Sequence, residues 1–272
     1  MTDGTLARST GLRSVAAVVG FPVAFVSIYL LLILTRAGQE LDSGSFGALG
    51  VFGVPLGAAG EVVRWGATFL LVAAALAAGA FALIRRRWND AVRAALVVLV
   101  CTLGCEALKA VLHRPALGVS GYDDNTFPSG HMAVALSAAT AVALTFPLGR
   151  WRRHVVVTSM ALAVVAGWAS IVSFAHRPSD VIGAGLLVGA VVSGVLFGRP
   201  PLAAERRPSA LLAACCAGAP VLAVLIGRWL SIYAPAAGDP LEALGWLALS
   251  ALPVVAVVLF APAARPAERK AG

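Results

Sequence analysis

Charge is scarce in this chain. Charged residues make up 12% of its 272 residues and hydrophobic residues 60%, where a soluble domain carries about a quarter charged. Mean hydropathy is +0.89. So little polar surface cannot face water all round a globule, and the soluble classes are excluded. Lysine is nearly missing: of 21 basic residues only Lys109 and Lys270 are lysines. With abundant Ala, Gly and Val, that bias suggests a GC-rich bacterial genome. Cysteine is sparse too. Cys101, Cys105, Cys215 and Cys216 all lie in apolar runs without the paired spacing of a zinc site, so they read as packing residues with no metal or disulfide role. Alternation of period two is lacking, which argues against a β-barrel.

What the chain has is long apolar runs. A helix needs about 20 apolar residues to cross a hydrocarbon core, and eight runs qualify: 15–35, 65–84, 91–112, 131–148, 155–175, 180–198, 209–231 and 242–261. The first is long for a signal peptide, and Leu34-Thr35-Arg36 is no small-residue cleavage site, so it reads as a retained anchor. Lys and Arg in short loops set orientation. With the N-terminus in the cytoplasm, 15 basic residues fall inside and six outside, while four acidic residues fall inside and nine outside. The expectation is an all-α polytopic bundle of about eight spans with both termini in the cytoplasm. The net charge of +8 is then mainly a positive-inside signal, and no nucleic-acid partner is implied.

Three segments on the outer side break this pattern. The third run ends in Glu106-Ala-Leu-Lys109-Ala-Val-Leu-His113-Arg114-Pro115. Lys109 there either snorkels, pairs with Glu106 one turn earlier, or serves function, the default for an ionisable group at membrane depth. Next, Thr126-Phe127-Pro128-Ser129-Gly130-His131 opens the fourth run. A helix start of this composition offers free N–H groups and a positive dipole end to an anion, with His131 beside it. The third segment, Ser173-Phe174-Ala175-His176-Arg177-Pro178-Ser179-Asp180, joins runs five and six. His176 and Asp180 are one helical turn apart, so the carboxylate can orient the imidazole. Together the segments supply cationic clamps, backbone donors, a nucleophile with an orienting acid and a second histidine, the parts of phosphoryl transfer through a covalent histidine.

These residues resemble the type 2 phosphatidic acid phosphatase superfamily. Its signatures are a lysine followed by Arg-Pro, the tetrapeptide Pro-Ser-Gly-His, and Ser-Arg, five residues, His, three residues, Asp. Pro128-Ser129-Gly130-His131 and the pair His176 and Asp180 fit without gaps, in the expected order and at the expected helix ends. Two positions depart. Four residues separate Lys109 from Arg114-Pro115, so the family's arginine position falls at Ala116, and Ala169-Ser170 stand where Ser-Arg is expected. Arg114 and Arg177 are the expected substitutes.

The resemblance implies a six-span phosphatase core over 15–198, and the apolar runs add two further transmembrane helices over 209–261 that carry no motif. A cytoplasmic tail (1–14), a cytoplasmic linker (199–208) and a second tail (262–272) complete the division. It implies His176 as nucleophile, Asp180 as its orienting acid, and His131 as the group that protonates the leaving oxygen and later activates water. Lys109, Arg114, Ser129 and the Gly130 N–H would cradle the phosphoryl oxygens, joined by Arg177. No cofactor and no metal are implied, in keeping with the lack of a carboxylate or Cys/His metal cluster. The expected function is hydrolysis of a polyprenyl or glycerolipid phosphate or diphosphate at the outer face of a bacterial cell membrane, serving the cell envelope. The alternatives are a lipid headgroup phosphotransferase and a non-catalytic lipid-binding or transport protein. The lipid itself and the oligomeric state stay open.

Overall fold

A bilayer offers no water to satisfy backbone N–H and C=O groups, so apolar runs of this length fold as helices. The computed structural model describes residues 3–119, 125–147, 149–197 and 240–260, which hold eight α-helices and no strand. They are α1 (Asp3–Ile28), α2 (Arg36–Leu49), α3 (Gly53–Ile84), α4 (Trp88–Val111), α5 (Gly130–Thr145), α6 (Arg152–Val172), α7 (Pro178–Val195) and α8 (Pro240–Phe260). The all-α transmembrane architecture holds. Seven of the expected runs coincide with helices, and six of these are long and apolar enough to span a membrane. The seventh run, 209–231, the linker 199–208 and the tail 262–272 lie outside the described residues. So do Cys215 and Cys216, whereas Cys101 and Cys105 are buried free thiols.

Two elements differ from the apolar-run reading. The second span begins earlier, at Leu56. Glu61 and Arg64 interrupt the run in sequence, but they pair one helical turn apart and the helix continues through them. The other difference is α2, which no apolar run marks. Thr35 caps its start, accepting a hydrogen bond from the Gly38 N–H at 3.0 Å, and its buried face carries Gln39, Asp42 and Ser45 beside Ala48 and Leu49. Its inward side is polar, the reverse of the pattern that signals a membrane helix. Between α1 and α2, Tyr29–Ile33 is a π-helical turn.

α5 is the centre of the bundle. It packs against α3, α4, α6 and α7, and thirteen of its sixteen residues are buried. Six of those thirteen are alanines, whose small side chains let neighbouring helices approach closely without the hydrophobic drive that water would supply. On the periphery, Phe69, Leu76, Leu99 and Leu103 of α3 and α4 are exposed, as befits helices facing lipid. Phe127, just ahead of α5, is fully buried and packs its ring on Phe25 and Tyr29 of the first span, at 5.4 and 5.8 Å. That ring also lies over Gly183, where a Cβ would come within 2.3 Å of it. Only glycine allows α7 to seat there.

Candidate active site

Leu112 leaves α4 in an extended conformation, and Pro115 disfavours helix at the residue before it. The chain therefore turns back over the helix end. Asn125 holds the turn by donating to the carbonyls of Lys109, at 3.1 Å, and Leu112, and Gln39 of α2 donates to the Pro115 carbonyl at 2.8 Å. Arg114 points inward as a result, with its side chain only 4% exposed. Lys109 stays nearer the surface, 3.1 Å from Glu106. His113 is exposed; its Nδ1 lies 2.9 Å from the Val111 carbonyl, and its own carbonyl accepts from Tyr29.

Ser129 is the N-cap of α5, accepting from the Met132 N–H at 3.4 Å, while its own N–H donates to the Asp180 carbonyl at 3.0 Å. The starts of α5 and α7 are thus tied together. Gly130 leaves room for the cation beside it: a Cβ there would lie 3.1 Å from Lys109 Nζ. The His131 ring stands edge-on to Trp65 of α3 at 4.3 Å, and its buried Nε2 has no hydrogen-bond partner among the described residues.

α6 ends in a tight reversal in which Phe174 takes a positive φ of 56°, a left-handed conformation that costs a non-glycine residue about 1 kcal/mol or more. Its ring packs edge-on against Phe46 of α2 at 5.4 Å, and the His176 N–H donates to the Ser170 carbonyl at 3.1 Å. The reversal turns His176 back toward α5. Its Nδ1 faces Asp180 Oδ2 at 3.6 Å, an ion-pair distance longer than a hydrogen bond, which leaves Nε2 directed away from the acid. The centroids of the His131 and His176 rings are 6.4 Å apart.

Asp180 is fully buried, with both oxygens engaged. Oδ1 accepts from Arg114 Nη2 at 2.7 Å; Oδ2 accepts from the Thr126 hydroxyl at 2.6 Å and from the Arg177 N–H at 3.0 Å. The fold therefore gathers all eight expected residues at one end of the bundle: Lys109, Arg114, Ser129, Gly130, His131, His176, Arg177 and Asp180. Arg114 makes its closest contacts to carboxylates, reaching Asp180 and, at 4.0 Å, Asp42. The Arg177 side chain is buried at the head of α7.

Three further residues join them. Thr126 bridges Arg114 and Asp180; its place just before the Pro-Ser-Gly-His tetrapeptide is the only hint in sequence. Asp42 of α2 is fully buried and accepts from the Ser179 N–H at 3.1 Å and the Ser179 hydroxyl at 2.5 Å. Burial, helped by the charge of Asp180, raises its pKa from 3.8 to about 6 against the opposing pull of the Ser179 bonds and Arg114. The spacing of Gln39, Asp42 and Ser45 at every third residue is the pattern that marks this polar stripe. Arg64 of α3 is also buried. Among the described residues it pairs with the exposed Glu61 at 3.6 Å, and its Nε finds no hydrogen-bond partner among them. Its neighbour Trp65 packs edge-on against His131.

A cleft of about 360 Å³ opens beside this cluster. Glu106, Lys109, Gly130 and His131 line it at the polar end, and Trp65, Phe69, Val72 and Val134 carry it along α3 and α5. Such a shape suits a molecule with an anionic head and an apolar body.

Residues 90–203 match the model of the PAP2 superfamily. No curated protein and no solved structure matches the chain. The matched segment runs from the first turn of α4 past the end of α7 and holds both histidines, Asp180, Lys109 and Arg114. Asp42 and Arg64 precede it. Residues 90–203 of this multi-helix membrane protein thus resemble the PAP2 superfamily, a family generally of phosphatases.

Proposed function

We propose that this protein is a lipid phosphate or diphosphate phosphatase that works through a phosphohistidine. The observation that carries the reading is the pair of imidazoles, His176 backed by Asp180 and His131 with ring centroids 6.4 Å apart, His131 lining an apolar cleft. Reacting atoms in a near-attack arrangement sit about 3–3.5 Å apart, so a phosphoryl group fits between the two rings with one histidine on each side.

In the first step His176 Nε2 attacks phosphorus as the bond to the leaving oxygen breaks. His131, protonated, gives that oxygen its proton, and the dephosphorylated lipid departs. In the second step neutral His131 takes a proton from water, whose oxygen attacks the phosphorus of the phosphohistidine. The P–N bond breaks, inorganic phosphate leaves and His176 is restored. Asp180 holds the His176 ring and stabilises its positive charge while the P–N bond exists. Ser129, the Gly130 N–H and Lys109 cradle the phosphoryl oxygens, with Arg177 adding positive charge at the head of α7. Lys109 is available because its partner Glu106 is 63% exposed, and such surface pairs hold weakly. Arg64 adds a second cation near His131. Arg114 acts one layer back, neutralising the two carboxylates whose charge would otherwise repel the phosphate.

The substrate's tails lie along Trp65, Phe69 and Val72, among lipid-facing helices. The 15 basic residues at the opposite ends of the expected spans, against six on this side, support an outer-face site. Polyprenyl phosphates and diphosphates, and phosphorylated glycerolipids, fit this chemistry. The test is phosphate release from a panel of these lipids by purified protein, with His176→Ala beside it. Release by the wild type and its loss in the variant are expected; activity unchanged in His176→Ala sinks the mechanism. Turnover only with an added acceptor alcohol makes the protein a phosphotransferase, and binding without turnover makes it a lipid carrier.

A further inference from the structure

The start of α7 carries the residues on which the proposed chemistry turns, and while Asp180 takes the Arg177 N–H, the Ser179 N–H finds its acceptor outside the helix. The first N–H groups of a helix have no partner within it, and leaving one buried and unsatisfied is costly. Here the acceptor arrives from elsewhere. Asp42, on α2 and 137 residues away, takes the Ser179 N–H on Oδ1 and the Ser179 hydroxyl on Oδ2. An acidic side chain at this place also meets the positive end of the helix dipole. Both partners are fully buried.

The contact has a second side. Asp42 Oδ2 lies 4.0 Å from Arg114 Nη2, the atom that binds Asp180 Oδ1 at 2.7 Å. Asp42 thus grips the residue next to Asp180 through Ser179, and it faces the guanidinium that holds Asp180 from the other direction. Loss of Asp42 would free the first turn of α7 on one side and leave Arg114 to a single carboxylate.

We infer that Asp42 is a positioning residue of the reaction: it fixes the first turn of α7, and through it Asp180 against His176, without touching substrate. A segment outside the matched family domain is then part of the working site and more than a membrane anchor. The inference rests on the phosphatase reading above.

Its test is steady-state kinetics on whichever lipid phosphate the wild type hydrolyses, with rates corrected for the folded fraction. Asp42→Ala and Asp42→Asn are compared with Leu49→Ala, a buried packing change on the same helix. A displacement of about 1 Å at a reacting group costs roughly 100-fold, so Asp42→Ala should lower kcat by about that factor and leave KM within about twofold. Asp42→Asn keeps an acceptor and should lose about tenfold. Leu49→Ala should lower the melting temperature and keep kcat. If Asp42→Ala does not fold, Ser179→Ala removes the hydroxyl bond from the other partner and should reproduce the fall in kcat at constant KM. Wild-type kcat in Asp42→Ala, or in Ser179→Ala where that variant stands in, overturns the inference alone, as does an equal loss of kcat in Leu49→Ala. Absence of phosphate release by the wild type overturns the phosphatase reading instead.

Discussion

The two ends of α5 meet opposite fates. At the C-terminal end the last carbonyls are closed off: Arg87 donates to Thr145 and Leu144 at 2.9 and 3.3 Å, and Arg152 donates to Ala143 at 2.9 Å. Arg87 is itself held by Asp90, which accepts from both its Nε and its Nη2. Cations there complement the helix dipole and satisfy its orphan acceptors. At the N-terminal end Ser129 caps the first turn, but the buried His131 Nε2 has no hydrogen-bond partner among the described residues and a cleft opens at Gly130 and His131. One end is finished by the protein's own side chains. The other opens onto a cleft, as the proposed site requires.

If the proposal holds, substitutions at the open end should strike chemistry, and the largest effect belongs to the proposed nucleophile. His176→Ala should reduce kcat by about 10⁴ or more, since losing a nucleophile leaves only binding and electrostatic assistance. Acid-labile phosphorylation of the wild type, absent from the variant, would identify the intermediate. Asp180→Asn should follow at about 10³–10⁴, read from single-turnover rates.

The clamp comes next. Arg64→Met should raise KM about tenfold and change kcat less, because removing one partly compensated charge contact is worth about 1–2 kcal/mol. Titration with orthovanadate gives the same comparison without a lipid. Unchanged vanadate affinity would remove Arg64 from the phosphate site.

At the closed end the expectation reverses. Arg87→Met strips two carbonyls of their charged donor and should cost about 2–3 kcal/mol of stability, seen as a lower melting temperature, while kcat and KM of the folded protein stay put. A change in KM would mean that the two ends are coupled through α5.

The smallest effect is a pH dependence of stability. Asp42 binds its proton more tightly in the folded protein, with a pKa of about 6 against 3.8. Its contribution is therefore complete below about pH 4 and is lost as pH rises through about 6. Two pKa units correspond to about 3 kcal/mol at most. The melting temperature of the wild type relative to Asp42→Asn should fall between pH 4 and pH 7. A rise would mean that the ionised carboxylate is the favoured form.

Much of the site could be read along the chain because its motifs are local. Pro128-Ser129-Gly130-His131 is a helix start wherever it is placed, and His176 and Asp180 meet across one turn of backbone. Arg114 shows where such reading stops. Its motif marks it as a cation near the site, but the turn at Pro115 and the carboxylates waiting inside direct it to Asp180 and Asp42. Arg64 read as one more charge on the outer side until α3, continuing past Glu61, carried it into the bundle.

Composition alone determined that this protein lives in a membrane as a bundle of helices, because apolar runs without water have one economical way to satisfy their backbone. Motif order alone brought His131, His176 and Asp180 to the same ends of successive helices. Only the tertiary structure decided that Asp42 completes the head of α7, that Arg114 is held by carboxylates, and that a cleft leads from His131 along α3. A helical turn is specified by residues three and four apart, whereas the Asp42–Ser179 bond spans 137 and exists only once every helix between them has packed.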